Sequence, residues 1–330
     1  MFYLGIDVSK ATLDCCLLYQ GVGGKKKNKR FINSAKGYSE LLQWLTQQGG
    51  TPTQTHIGME ATGCYHEEAA FRLHEAGCLV SIVNPAQVRY FAKGRAIRTK
   101  TDKVDSEVIA YFVGINKPEL WQPPTPEVLL FKGLLARLQA LNDDLQREKN
   151  RLEKALSTTT PARVIASMNA SIRFIESEIK RLEDDKNDHI QQHPDLKRDK
   201  VLLESIPAIG DKTSDALLAI LQTHHFDSAD KFASYLGVIP VEKQSGTILG
   251  KVMLSKNGPS QVRAKLYMAA IVATQYNPHV KKLYERLLAK GKCKMLALGA
   301  AMRKLAHLCF GVWKNQTPYQ ANFLPWLFLC

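Results

Sequence analysis

Four acidic residues stand where a folded chain could gather them. Asp7 ends an apolar run in YLGIDVSK, and Glu60 ends another in IGMEATG. Asp102 and Asp105 lie three apart in KTDKVDSEVIAYF, which puts both carboxylates on one face of a helix. Carboxylates from two strand ends and a helix start can converge at one edge of a sheet. Phosphoryl transfer assisted by divalent cations needs such a set, because those ions take oxygen ligands and neutralise the leaving oxygen. Singly, each acid also has a structural use: an Asp after a strand forms turns, and Asp102 suits a helix cap. Glu67 and Glu68 fall on a solvated helix face, and Asp14 reads as pointing out of an alternating strand.

The elements that must position these acids are readable in outline. Strands are expected at Phe2 to Ile6, Leu13 to Tyr19 and Arg30 to Asn33, with GVGGKKKNK at 21–29 as a basic, Gly-rich turn. Helical spacing follows from Gly37 to Gln48. Then come a strand at Thr55 to Met59, a helix from Tyr65 to Ala76 stopped by Gly77, and a strand at Leu79 to Val83. Asn84-Pro85 reads as a break, and Asp102 to Val113 as a helix. Three strands, helix, strand, helix, strand, helix is an α/β order of the RNase H type, a mixed sheet with helices packed on it.

Beyond a Pro-rich linker at 118–126 the chain turns helical. Leu134, Leu138, Leu141, Leu145 and Leu152, then Ile165, Met168, Ile172, Ile175, Ile179 and Leu182, repeat at three- and four-residue spacing. These predict two long helices joined by a turn at Ser157 to Pro161, either an intramolecular helical hairpin or, as a short coiled coil, a dimerisation arm or a stalk that contacts RNA and DNA. The expected organisation is therefore 1–117 RNase H-like, 118–126 linker, 127–195 helical coiled-coil segment, and 196–330 a mainly helical C-terminal domain.

The chain of 330 residues carries 45 Lys+Arg against 31 Asp+Glu, a net charge of +14, which favours a polyanionic partner. Seven cysteines without a CxxC pair suit reduced, intracellular thiols and argue against a zinc site or a disulfide framework. No signal peptide and no run approaching a membrane span is read, so a cytoplasmic protein is expected. The apolar tail from Phe323 to Cys330 is expected to pack on a domain or partner surface.

LLESIPAIGDKTSDALLAIL has the form of a helix–hairpin–helix, in which Gly210 permits the turn and the following helix start, with Lys212 and Thr213, holds a phosphate oxygen. Farther on, KQSGTILGKVMLSKNGPSQVRAKLYMAA supplies Lys251, Lys256 and Arg263 as nucleic-acid contacts, with Lys265 beyond them. An activated serine there could attack a phosphodiester, but chemistry alone does not choose among Ser245, Ser255 and Ser260. Two more helices are expected near Leu266–Thr274 and Met295–Trp313.

Taken together, GIDVSKATLD, IGMEATGCY, VNPAQVRYFA, RTKTDKVDSEVIA, LLESIPAIGDKTS, FASYLGVIP, QSGT and SKNGPSQVRAKLYMAA resemble the transposases of the IS-one-ten insertion-sequence family and the related Piv-type DNA invertases. The resemblance covers nearly the whole chain, in the family's order. It implies a RuvC-like N-terminal domain, a metal site of Asp7, Glu60, Asp102 and Asp105 holding Mg²⁺, and a catalytic serine that the QSGT match puts at Ser245. It also implies strand exchange through a phosphoserine link. Donor and target DNA would be chosen by pairing with a noncoding bridge RNA from the element, and dimers would assemble into a tetramer whose sites are shared between chains. The competing readings are a RuvC-like junction resolvase cutting by activated water, a non-catalytic nucleic-acid binder, and a sugar-kinase-like ATPase, which would need a later Gly-rich adenosine loop.

Overall fold

The computed structural model describes residues 1–322 apart from Gln20, Thr62, Arg98, Lys100, Lys243, Gly246, Thr247, Gly250 and Lys251. For Gln244, Ser245, Ile248 and Leu249 it describes the backbone. The chain forms two compact units, Met1–Pro123 and Pro124–Cys330, so the division falls inside the Pro-rich stretch.

In the first unit, strands β1 (Phe2–Val8), β2 (Thr12–Leu18) and β3 (Lys26–Ile32) form an antiparallel meander. Helix α1 (Ala35–Gln47) follows, capped by the Ser34 hydroxyl. Next come β4 (Thr55–Glu60), α2 (Glu67–Glu75), β5 (Leu79–Val83), α3 (Pro85–Gly94) and α4 (Asp102–Asn116). The sheet order is β3-β2-β1-β4-β5, with β4 parallel to both β1 and β5. This is the mixed sheet expected from the element order. One face packs Leu4, Ile6, Leu13, Leu17, Ile57 and Met59 against the buried residues of α1 and α2. The other packs Tyr3, Cys16, Leu18 and Val83 against α3 and α4.

The basic run at 21–29 departs from the expected turn. Lys26, Lys27, Asn28 and Lys29 belong to β3, not to a turn, and only residues 21–24 make the turn. The run reads as a turn because it lacks apolar alternation, but β3 is an edge strand whose residues are mostly exposed, where lysines also discourage pairing with another chain. Asn84-Pro85 ends β5 at Val83 as expected and also starts α3, a helix the sequence reading does not include: the Asn84 side chain accepts from the Ala86 N–H at 2.8 Å, and Pro85 takes the first helical position. After α4 the stretch through residue 121 stays with this unit. The Trp121 N–H donates to the Val80 carbonyl, and its ring meets Phe71 edge-on.

The second unit begins with α5 (Pro126–Leu156) and α6 (Ala162–Gln192), packed through Leu134, Leu138, Leu141, Leu145, Ile175, Ile179 and Leu182. Then follow α7 (Pro194–Glu204), α8 (Asp211–Thr223) and α9 (Ala229–Tyr235). Four two-residue strands come next: β6 (Pro240–Val241), β7 (Gln244–Ser245), β8 (Ile248–Leu249) and β9 (Met253–Leu254), pairing β6 with β9 and β7 with β8. Helices α10 (Ser260–Tyr276), α11 (Pro278–Ala289) and α12 (Lys294–Asn315) complete it. α11 was absent from the sequence expectation, and it too starts at an Asn-Pro pair, Asn277 capping two backbone N–H groups. α12 is long and apolar enough to cross a membrane by length and composition, contrary to the sequence expectation. Here Ala301, Met302, Leu305, Cys309 and Phe310 are core residues of this unit.

Candidate active site

The four acids come from one edge of the sheet and the helix laid over it. Asp7 is near the end of β1 and Glu60 ends β4, the neighbouring parallel strand, where Ile6 aligns with Met59. Asp102 opens α4 and Asp105 sits one turn in, with Thr101 as the cap. α4 reaches them because the sheet beneath is floored with glycine. A Cβ at Gly5 would lie 2.1 Å from the Ser106 carbonyl oxygen, and one at Gly58 would lie 2.2 Å from Val113 Cγ2. Side chains at either position would lift the helix and draw Asp105 away from Asp7.

The crowding registers at Asp7. Burial, then the charges of Asp105, Asp102, Glu60 and Asp14, push its carboxyl up from 3.8 to about 6. Carboxylates are hard oxygen donors of the kind that divalent cations take.

Sequence reasoning missed two members of this neighbourhood. Asp14 does not point away: it lies opposite Asp7 across the β1–β2 ladder and is 9% exposed. β2 is buried on both faces, so the alternation used to orient Asp14 does not hold there. The available signal was the tight turn at 9–12, from which counting outward pairs Val8 with Leu13 and Asp7 with Asp14. Arg30, opposite Asp14 on β3, donates from Nε to Asp14 Oδ1 at 2.9 Å and from Nη2 to Asp102 Oδ2 at 3.2 Å. It reaches from the meander to the start of α4.

The remaining expected residues lie in the second unit. Gly210 precedes α8 with φ −99°, an ordinary extended conformation, so glycine is not needed there; the left-handed residue of the turn is Ala208, at φ 84°. The sequence expectation of Gly210 as the turn-permitting residue is corrected accordingly. Lys212 is exposed and Thr213 half-buried in the first turn of α8. Asp211 shares that turn, its carboxylate held by Lys200 and by Lys186 at 3.3 Å. Lys256 is exposed, while Arg263 donates to the Gly258 and Leu236 carbonyls at 3.1 and 3.4 Å, ordering the turn that carries Lys256. Ser245 is on β7, its backbone opposite Ile248; its side chain, and Lys251 entirely, lie outside the described residues, as does the tail from Phe323. Of the other two serines, Ser255 accepts from the Asn257 N–H at 3.4 Å and Ser260 begins α10.

A transposase family model matches residues 4–161, and that of the transposase IS116/IS110/IS902 family matches residues 200–285. The pilin gene-inverting proteins of Moraxella bovis and Moraxella lacunata are 33% and 32% identical to the chain, over 96% of it and 97% of their own length. The IS110 insertion-element protein of Streptomyces coelicolor is 26% identical over 48% of this chain and 38% of that protein. Among solved structures, Thermus thermophilus RuvC is similar over 34% of this chain and 92% of its own, at 15% identity and a TM-score of 0.26. The two family models and the insertion-element and gene-inverting relatives define a DNA recombinase of the transposase class. The chain belongs to the IS110 transposase family, together with the pilin gene-inverting proteins.

Proposed function

We propose that the chain is an RNA-guided transposase that cuts and rejoins DNA through a metal-binding carboxylate site and a serine nucleophile. Asp7, Glu60, Asp102 and Asp105 would hold magnesium ions. When bound, such an ion supplies charge neutralisation on the scissile phosphate and lowers the pKa of an attacking or leaving hydroxyl. The Ser245 hydroxyl attacks the phosphorus, forming an Oγ–P ester and freeing a deoxyribose hydroxyl that takes the proton. Attack by another strand's hydroxyl on that ester then restores Ser245 and joins new DNA.

The observation that carries this reading is the meeting of the four acids at the ends of β1 and β4 and the start of α4, where burial and then the charges of Asp105, Asp102 and Glu60 lift Asp7 to about 6. Such shifts concentrate where a fold assembles acids for chemistry. Lys212, Thr213, Lys251 and Lys256 supply phosphate contacts in the second unit. On family resemblance the reading extends to a noncoding element RNA that pairs with donor and target DNA, and to dimers that join into a tetramer. The protein is taken to work in the cytoplasm.

The test incubates protein, element RNA, Mg²⁺ and end-labelled donor and target DNA, then resolves products under denaturing conditions. Wild type is expected to give a protein–DNA adduct and joined product, both lost in Ser245→Ala and Asp102→Ala. Cleavage that survives Ser245→Ala without an adduct would overturn the serine step and leave a RuvC-like nuclease.

A further inference from the structure

The carboxylate edge is hostile to nucleic acid: its acids repel phosphate. The sequence leading into it is the reverse. No acidic residue occurs between Glu75 and Asp102, while Arg89, Lys93, Arg95, Arg98 and Lys100 all fall in that interval. The first of these cations ride on α3, which leaves the end of β5. Val83 of β5 pairs with Glu60, so the helix starts beside the carboxylate edge.

α3 is two-sided. Its inner face uses Val88, Phe91 and Ala92 against α4, with Phe91 meeting Phe112 edge-on at 5.5 Å. Arg95 stacks on the Tyr111 ring at 4.6 Å and so is fixed at the helix end. The outer face presents Arg89, Tyr90 and Lys93, all exposed, with Tyr90 at 71%. Neither Arg89 nor Lys93 forms an ion pair among the described residues. A single exposed aromatic is ordinary on a protein surface. One flanked on its own helical face by two unpaired cations, in an acid-free segment beside an acidic site, has the chemistry of a stacking platform for an unpaired nucleic-acid strand.

We propose that the outer face of α3 is such a platform: the Tyr90 ring stacks on an unpaired base while Arg89 and Lys93 hold the flanking phosphates, guiding a strand to the carboxylate edge. This rests on the reading of that edge as the cutting site. The platform offsets locally the repulsion between substrate and carboxylates, and it selects unstacked bases over paired ones, because a base within a duplex has no free face for the ring.

The proposed function gives other basic segments of the chain phosphate contacts too, so the test must be local. The full-length protein, without divalent metal, is crosslinked by ultraviolet light to 5-bromouracil-bearing single-stranded oligonucleotides, DNA and RNA, and the peptides are mapped. A crosslink within residues 85–97 is expected, retained in Tyr90→Phe and lost in Tyr90→Ala. In anisotropy titrations Tyr90→Ala should weaken single-strand binding about tenfold and leave duplex binding unchanged. The Arg89→Ala/Lys93→Ala pair should lower the slope of log affinity against log salt by about 1.4. Whichever of DNA or RNA crosslinks identifies the strand. No crosslink in that peptide, or equal losses on single strand and duplex, overturns the platform; a partner of another class would give the first result. Asp102→Asn separates the two readings: it should abolish cleavage yet keep the α3 crosslink, whereas intact cleavage with the crosslink present would sink the carboxylate site and leave the platform standing.

Discussion

Two clusters of charge in this protein differ in how they are balanced. In the second unit, Lys186 and Lys200 meet Asp211 and Asp215, with Lys186 Nζ 2.5 Å from Asp215 Oδ2 and Lys200 Nζ 2.7 Å from Asp215 Oδ1. The Lys186 and Asp215 side chains are 4% and 3% exposed. Burial would raise the Asp211 carboxyl, but the hydrogen bond from Lys200 and the charge of Lys186 outweigh it and hold it low. At the carboxylate edge of the first unit Arg30 reaches Asp14 and Asp102, yet burial and the neighbouring acids still push Asp7 up to about 6. A neutralised cluster fastens α6 and α7 to α8. A crowded one is less stable than it would be with fewer charges, which is what a site for an added cation looks like.

The largest effect should come from unbalancing the balanced cluster. Asp215→Ala leaves Lys186 buried beside only Asp211, and breaking such a pair costs about 3–5 kcal/mol. Urea denaturation should show that loss. A cost below about 1 kcal/mol would mean that water reaches Lys186 and that the cluster is not the fastening described.

The opposite sign is expected at the crowded cluster. The folded carboxyl of Asp7 titrates near 6, above its ordinary 3.8, so between those values the folded state holds more protons than the unfolded one. Stability from this group is full below about pH 4 and is lost as pH rises through 6. Asp7→Asn removes that loss and should stabilise the metal-free protein by about 2 kcal/mol at pH 8, with no gain near pH 3.5. Added Mg²⁺ should reverse the order, raising the melting temperature of wild type more than that of the variant. Calorimetry across pH, with and without Mg²⁺, checks both halves.

How far the sequence anticipated these clusters depends on the reach of each signal. The acids were legible because each ends an apolar run or begins a helix, and that is a local property. The glycine floor was present in the letters, but its use was not, since only the approach of α4 explains Gly5 and Gly58. α3 and α11 share a start that the sequence reading does not use: Asn84 and Asn277 are helix caps and the prolines after them take first positions, so the Asn-Pro pair that ends β5 also opens a helix. Asp14 was misjudged because alternation orients a strand only when one of its faces is wet, and β2 has none. The Lys186–Asp215 pair joins residues distant in sequence, and no periodicity announces it.

Arg30 ties the comparison together and should give the smallest effect. Its side chain is 58% exposed, and its link to Asp102 is between two exposed groups, so that pair should couple only weakly. Its link to Asp14 ends on a carboxylate that is nearly buried, and there the coupling should be the larger of the two. Double-mutant cycles with Asp14→Asn and Asp102→Asn separate the two. Measured without metal, unequal couplings in that order mean that Arg30 belongs to the meander and only leans on Asp102, which stays available to a cation. Equal couplings, or a larger one with Asp102, would mean that the guanidinium is a true counter-ion of the site and that the carboxylate edge is closer to balance than the position of Asp7 implies.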